Sequence, residues 1–251
     1  MRLFLLLFLF CQLITSPISA QQKEAKNSSG VILFTVGLTG QQPAGDLSDR
    51  FGTSMGVIIE LEYISKSNLI FGFGGNLFFS NNVKQDVLST LRTPEGFIIG
   101  NNRAFADVQL RQRGFYTGAY IGKLFSLFEN NPRAGLRITL GAGLLQHRIR
   151  IQDDPMSFVP QLDETYRKGY DRLTNGLALQ QFIGYQFMST NRLINFHAGI
   201  EFVQGFTQSR RDFNFDTRMK EEGSRFDVLT SIRVGWSLPF YLGRSSEDLY
   251  Y

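Results

Sequence analysis

LIFGFGGNLFF, Leu69–Phe79, places Leu69, Phe71, Phe73, Leu77 and Phe79 at every second position, with Ile70, Gly72, Gly74 and Asn76 between them. Alternation of this kind is the period of an extended strand, whose side chains point to opposite faces in turn. Glycine inside a strand loses packing and costs conformational entropy. A chain tolerates it where a side chain has no room or where another group must come close. One face of this segment is therefore wide and apolar, and the other is small and polar.

The same pattern recurs along the chain. It is clear in VILFTVGLT (Val31–Thr39), MGVIIELEY (Met55–Tyr63), RAGLRITLGAGL (Arg133–Leu144), INFHAGIEF (Ile194–Phe202) and FDVLTSIRVGWSL (Phe226–Leu238). Two further segments carry it less cleanly, FYTGAYIGKLF (Phe115–Phe125) and NGLALQQFIGYQF (Asn175–Phe187). In the first of these, Tyr116, Gly118, Tyr120 and Gly122 are assigned to the small, polar face. Past Leu144 the apolar set moves to Leu145, His147, Ile149 and Ile151, and a bulge at Leu144-Leu145 is the expected cause.

The chain thus holds eight strands, and their connections alternate in length. Ser65–Asn68, Leu127–Pro132 and Ser189–Arg192 are short and rich in turn residues. Gly40–Ser54, Ser80–Arg113, Gln152–Arg172 and Thr207–Arg225 are long and charged. Short turns alternating with long loops are the signature of an outer-membrane barrel. A soluble eight-stranded barrel would turn its apolar face inward and its charges outward. Glycines packed on a solvated outer face would serve nothing, whereas eight strands close to a tube so narrow that side chains just fill it. The expected fold is all-β, an eight-stranded antiparallel up-and-down transmembrane β-barrel with a closed polar lumen and both termini in the periplasm.

The N-terminus opens Met1-Arg2, continues through the apolar run Leu3–Ile14 and ends on the small residues Ser19 and Ala20, which is the layout of a cleaved secretory signal. The alternative, a short membrane anchor, is disfavoured because a spanning helix needs about 20 apolar residues. The expected division is residues 1–20 as signal, 21–30 as a periplasmic linker, 31–238 as barrel and 239–251 as a periplasmic tail. Cys11, the one cysteine, follows Phe10 within the apolar run, which does not suit lipidation, and leaves with the signal. The mature chain then lacks disulfides, thiolate metal ligands and a Cys nucleophile. Loss of Arg2 lowers the formal net charge from +4 to +3, too small a surplus to indicate a nucleic-acid partner.

Ionic residues on the inward face need partners, since an unpaired buried charge is costly. Glu60, Glu62, Glu201 and Asp227 are expected to interlock with Arg137, Arg233 and His197 as a structural plug. Glycine pairs in FGFGGN and LGAGL lie within strands with no helix following, so neither is a nucleotide loop. Asp153-Asp154 and Asp163-Glu164 lack the spacing of a calcium loop. Arg210-Arg211 lies in a loop of mixed charge within reach of anionic headgroups. A lipid-modifying enzyme would need a base and a nucleophile at the lipid-facing rim. His147 with Ser157 is the one candidate, and it has no identifiable orienting partner. No catalytic residue, metal ligand, cofactor or small-molecule substrate is expected.

DLSDRFG (Asp46–Gly52), LRQRGFYTGAYIG (Leu110–Gly122) and VGWSLPFYLG (Val234–Gly243), with the terminal Tyr250-Tyr251, resemble the small outer-membrane β-barrel proteins of the Bacteroidota, the PorT-like group. The resemblance spans roughly Val31 to Tyr251. It implies an outer-membrane protein that serves as an accessory of an envelope machine for protein secretion or barrel assembly, and it carries over no catalytic residues. The expected partners are outer-membrane lipids and other envelope proteins. Pro239 is expected to end the last strand, leaving Phe240, Tyr241, Tyr250 and Tyr251 in a tail. Aromatic side chains are common interface anchors, so this tail reads either as a docking segment or as a cover folded under the barrel mouth.

Overall fold

The computed structural model describes residues 30–153, 157–189 and 194–242. Eight strands form the wall: β1 (Gly30–Gly45), β2 (Ser54–Ile64), β3 (Leu69–Ser80), β4 (Gln109–Phe128), β5 (Asn131–Gln152), β6 (Thr174–Met188), β7 (Asn195–Ser209) and β8 (Ser224–Leu242). Each pairs antiparallel with its sequence neighbours, and β1 closes the ring by pairing with β8 from Gly30↔Leu242 to Gly45↔Asp227. Closure leaves no free sheet edge, which removes the usual route to edge-to-edge aggregation. The expected all-β, eight-stranded, up-and-down barrel is the fold observed.

Short links and the described chain ends gather at one end of the barrel, the turn end, and the long connections gather at the other, the loop end. The loop end carries the one-turn helix α1 (Leu47–Arg50) and a small ribbon pairing Ile98–Ile99 with Phe105–Ala106. β4 and β5 run for 20 and 22 residues, about twice the length a bilayer needs. Together they form a tall ribbon that carries the wall into the loop region.

Two expectations about strand geometry are corrected. No bulge interrupts β5 at Leu144-Leu145: Leu144 opposes Thr117 and Leu177, Leu145 opposes Tyr116 and Gly176, and both ladders run on unbroken. Leu145, His147, Ile149 and Ile151 point inward in the same phase as Arg137 and Thr139. What changes along β5 is the neighbourhood of the inner face, which passes from an ionic layer to an apolar cap. Nor does Pro239 end β8. The strand continues to Leu242, with Pro239 opposite Leu33, Phe240 opposite Ile32 and Tyr241 opposite Val31. Beyond Trp236 the described pairing of β8 is to β1 alone, and proline is tolerated on a strand with one open side. The barrel therefore spans Gly30–Leu242, and Phe240 and Tyr241 belong to the wall. Tyr250 and Tyr251, the signal segment and most of the linker lie outside the described residues.

Candidate functional site

The outer and inner faces of the wall separate by residue type. Outward stand Phe34 and Leu38 on β1, Ile59 and Leu61 on β2, Phe71, Phe73 and Leu77 on β3, and Ile121 and Phe125 on β4. The belt continues with Leu140 on β5, Leu177 and Ile183 on β6, Ile200 and Phe202 on β7, and Ile232, Val234 and Trp236 on β8. Phe73 is 61% exposed and Leu177 75%. A soluble monomer rarely exposes one continuous apolar patch of more than a few hundred Å², and here the patch encircles the molecule. On β4 it runs from Phe115 to Phe125, interrupted by Thr117 and, near the turn end, by Lys123, whose ammonium lies over the Phe125 ring at 5.7 Å. At about 3.3 Å per residue and a tilt of about 40° this column stands about 25 Å tall. That is the height of the apolar band of a transmembrane barrel.

The inner face is filled in three layers. At the middle, Arg233 on β8 donates to Glu60 on β2 and to Glu201 on β7, the second contact at 2.7 Å. Its Nε donates to His197 Nε2 at 3.1 Å, and Gln180 donates to the same Glu201 oxygen at 2.5 Å. A second centre lies beside it. Arg137 on β5 grips Glu62 through both terminal nitrogens at 2.8 and 2.5 Å, and Tyr120 donates its hydroxyl to Glu62 at 2.9 Å. The Phe182 ring stands between the two guanidiniums, 4.9 Å from that of Arg233 and 5.7 Å from that of Arg137. Cation–π attraction and paired carboxylates together offset the desolvation of both arginines. The space left among Glu60, Tyr116, Gln180, Glu201 and Arg233 amounts to about 10 Å³, enough for one water. The Tyr116 hydroxyl and Gln180 Oε1 have no partner among the described residues, so such a water has groups to bind.

Apolar caps close this layer on both sides. At the turn end Val31, Leu33, Ile64, Ile70, Leu124 and Met188 form a buried cluster against which Tyr241 packs. Arg133 lies there too, fully buried, donating to the Ser65 carbonyl and the Asn68 side chain at 2.9 Å each. At the loop end Leu47, Phe51, Val87, Leu88, Val159 and Leu162 descend from the loops onto Phe78, Leu145, Ile149, Val203 and Leu229 of the wall. Above that cap Arg50 donates to Glu221 and Thr174. Burial opposes the Glu221 charge, but Arg50, Arg225 and Arg172 around it prevail and hold its carboxyl below the usual range.

Of the seven residues assigned to the lumen, six meet in the ionic layer: Glu60, Glu62, Arg137, His197, Glu201 and Arg233. Asp227 lies apart from them, toward the loop end. There it bonds His147 Nε2 at 2.8 Å and Thr207 at 2.5 Å, with Arg225 at 3.5 Å. His147 is therefore a lumen residue with no exposed surface, beneath the edge of the Phe51 ring, and not a residue of the lipid-facing rim. Ser157 is bonded to Asn102 in the loops. The odd-numbered phase of β5 carries His147 inside the barrel, and this dissolves the catalytic pair. Among the described residues, no three His, Cys, Asp or Glu side chains converge as a metal site.

Sequence reading passed over one feature of the outer face, the arginines of β4 and β5 at the loop end. Arg111 and Arg113 on β4 lie directly opposite Arg150 and Arg148 on β5. The signal was present as arginine at every second position in LRQRG and HRIRI (Leu110–Gly114, His147–Ile151), but the pairing of the two strands was needed to bring the four together.

What the geometry defines is a sealed eight-stranded antiparallel barrel with an apolar belt. No family model matches the chain, and no curated protein matches it. Among solved structures it is similar to the attachment invasion locus protein Ail of Yersinia pestis, at 9% identity and a TM-score of 0.41 over 83% of this chain and 99% of that one. It is likewise similar to the outer membrane protein OprG of Pseudomonas aeruginosa, at 10% identity and a TM-score of 0.39 over 88% and 100%. The N-terminal β-barrel domain of OprF from the same organism matches at 12% identity and a TM-score of 0.36 over 84% and 98%.

Proposed function

We propose that the chain is a non-catalytic, non-conducting outer-membrane barrel that works by interaction, as an accessory subunit of an envelope machine for secretion or barrel assembly. The observation that carries the membrane reading is the apolar belt continuous over all eight strands around an ionic interior. In this setting the turn end faces the periplasm and the long loops face outward, the usual arrangement for such barrels. The filled lumen argues against a pore, and the burial of His147 behind the wall argues against lipid-modifying chemistry.

Trp236, the one tryptophan, stands half exposed on the belt and provides a direct test. After reconstitution, its emission is expected to be blue-shifted and strongly quenched by lipids brominated along their acyl chains, and planar-bilayer recordings are expected to show no conductance steps. Emission unmoved by brominated lipid would refute the membrane reading, and steady channels would refute closure.

The accessory role rests on different support, namely the resemblance to the PorT-like barrels and the aromatic chain end. With Phe240 and Tyr241 built into the wall, docking falls to residues 243–251, which include Tyr250 and Tyr251. Removal of Ser245–Tyr251 is expected to leave the barrel inserted and to deplete larger envelope proteins from a mild-detergent pull-down. A shortened chain that retains all of them would transfer the interaction to the loops or the wall.

A further inference from the structure

The outward column of β4 and β5 changes character at the loop end. From the middle of the belt the facing pairs are Ile121 with Leu140, Ala119 with Ala142, Thr117 with Leu144 and Phe115 with Gln146. The next two are Arg113 with Arg148 and Arg111 with Arg150. Like charges set directly opposite one another across a strand pair are destabilising, and here two such pairs follow in succession. Adjacent strands lie about 4.8 Å apart and alternate residues about 7 Å apart, so four cations crowd one small patch of wall.

Nothing described neutralises them. Among the described residues no carboxylate pairs with any of the four, and Arg111 Nε is buried without a partner. Arg111 donates to Gln109 and Arg113 to the Gln112 carbonyl, both neutral groups. Asp153, the described acid nearest in sequence, is taken by Arg167, and Asp107 accepts from Gln109. Arg210, exposed and bonded to Asn175, extends the basic rim toward β6, where Asn175 reaches Gln146. Arg113 also lies over the Phe79 ring at 5.7 Å, at the top of the aromatic belt. Beneath the Phe115–Gln146 pair several outward residues are small: Gly75 opposes Thr117, and Ala119 opposes Ala142. They leave a furrow in the belt flanked by Phe73, Leu77, Leu140 and Leu144.

We infer that Arg111, Arg113, Arg148 and Arg150 bind the phosphate-bearing headgroup of a lipid in the leaflet at the loop end, with its acyl chain lying along the furrow beneath. Guanidinium forks suit phosphate in charge and geometry. A soluble anion would satisfy the charges but would have no use for the apolar column directly below them, so a lipid fits both features. This inference rests on the membrane reading above.

The test uses the full chain in a zwitterionic detergent, with binding measured by native mass spectrometry. The probes are lipid A carrying its phosphates, the same lipid A after phosphatase treatment, and inorganic phosphate. Wild type is expected to bind the phosphorylated lipid about tenfold or more tightly than the dephosphorylated one, as befits several charge-assisted hydrogen bonds. The R111Q/R113Q/R148Q/R150Q variant is expected to lose that preference while Trp236 remains quenched by brominated lipid. Inorganic phosphate is expected not to compete. Equal wild-type binding of the two lipids, or a preference that survives in the variant, would overturn the assignment. Competition by inorganic phosphate at matched concentration would make the patch a site for soluble anions and overturn the lipid. Because the two wild-type arms decide the matter alone, a variant that fails to fold does not rescue the idea. Loss of Trp236 quenching in wild type would instead count against the membrane reading.

Discussion

Arg233→Ala is expected to destabilise the barrel by about 3–5 kcal/mol, the usual cost of leaving buried partners of an ion pair uncompensated. The effect falls at the upper end of that range because one guanidinium serves two carboxylates. Its removal leaves Glu60 on β2 and Glu201 on β7, projecting into the same lumen layer, with no cation between them, and it removes the donor to His197. Arg137 cannot fill the gap, since both of its terminal nitrogens are held by Glu62. The expected readout is loss of the compact, heat-modifiable band on a gel run without boiling, or a marked fall in the urea midpoint of refolded protein. Arg233→Lys should retain part of the stability, because a single ammonium cannot reproduce the fork that reaches both acids and the imidazole. The triple variant Arg233→Met, Glu60→Gln, Glu201→Gln should recover most of it, since neutral groups of similar volume remove the desolvation cost along with the attraction. Wild-type stability in Arg233→Ala would mean that water reaches this layer and that the lumen is not sealed.

The architecture was legible in the chain because its two strongest signals are local. Period-two alternation marks a strand wherever it falls, and the short–long rhythm of connections orders the strands without any tertiary knowledge. The inward or outward sense of Phe71, Gly72, Glu60 and Arg233 follows from what a narrow tube can hold. What stayed hidden depends on distance in sequence. The apolar set Leu145, Ile149 and Ile151 looked like a slipped register because the loop residues that cover it, Phe51, Leu88 and Leu162 among them, come from three separate connections. Asp227 and His147 stand 80 residues apart, and no spacing rule links them. Pro239 reads locally as a terminator, yet only the ring closure shows that β8 has an open side there. The four arginines were visible one strand at a time, and their mutual repulsion exists only once β4 and β5 are placed in register.

Gly72→Val is expected to cost about 3 kcal/mol or more, combining overpacking of a full interior with the loss of a hydrogen bond to a charged group. Here lies the reason for glycine inside LIFGFGGNLFF. A Cβ built on Gly72 would meet the Tyr120 ring at 2.3 Å from Cζ and 2.5 Å from the hydroxyl oxygen. Tyr120 has nowhere to retreat: it is 4% exposed, its hydroxyl is tied to Glu62, and the Arg137 guanidinium lies 5.9 Å from its ring. Gly74 plays the same part for Glu60, whose Cγ would lie 2.6 Å from an added Cβ. The glycines therefore set the depth at which the ionic layer can assemble against β3. Pairing Gly72→Val with Tyr120→Ala should restore much of the lost stability, because the added methyls then occupy the space of the ring. Arg137 continues to neutralise Glu62 in that background. The neighbouring Phe73→Ala, which points to the belt, should shift the midpoint far less, since lipid or detergent replaces the ring. Equal losses at Gly72 and Phe73, or no relief from Tyr120→Ala, would mean that Tyr120 does not lie over Gly72 and that β3 is turned the other way.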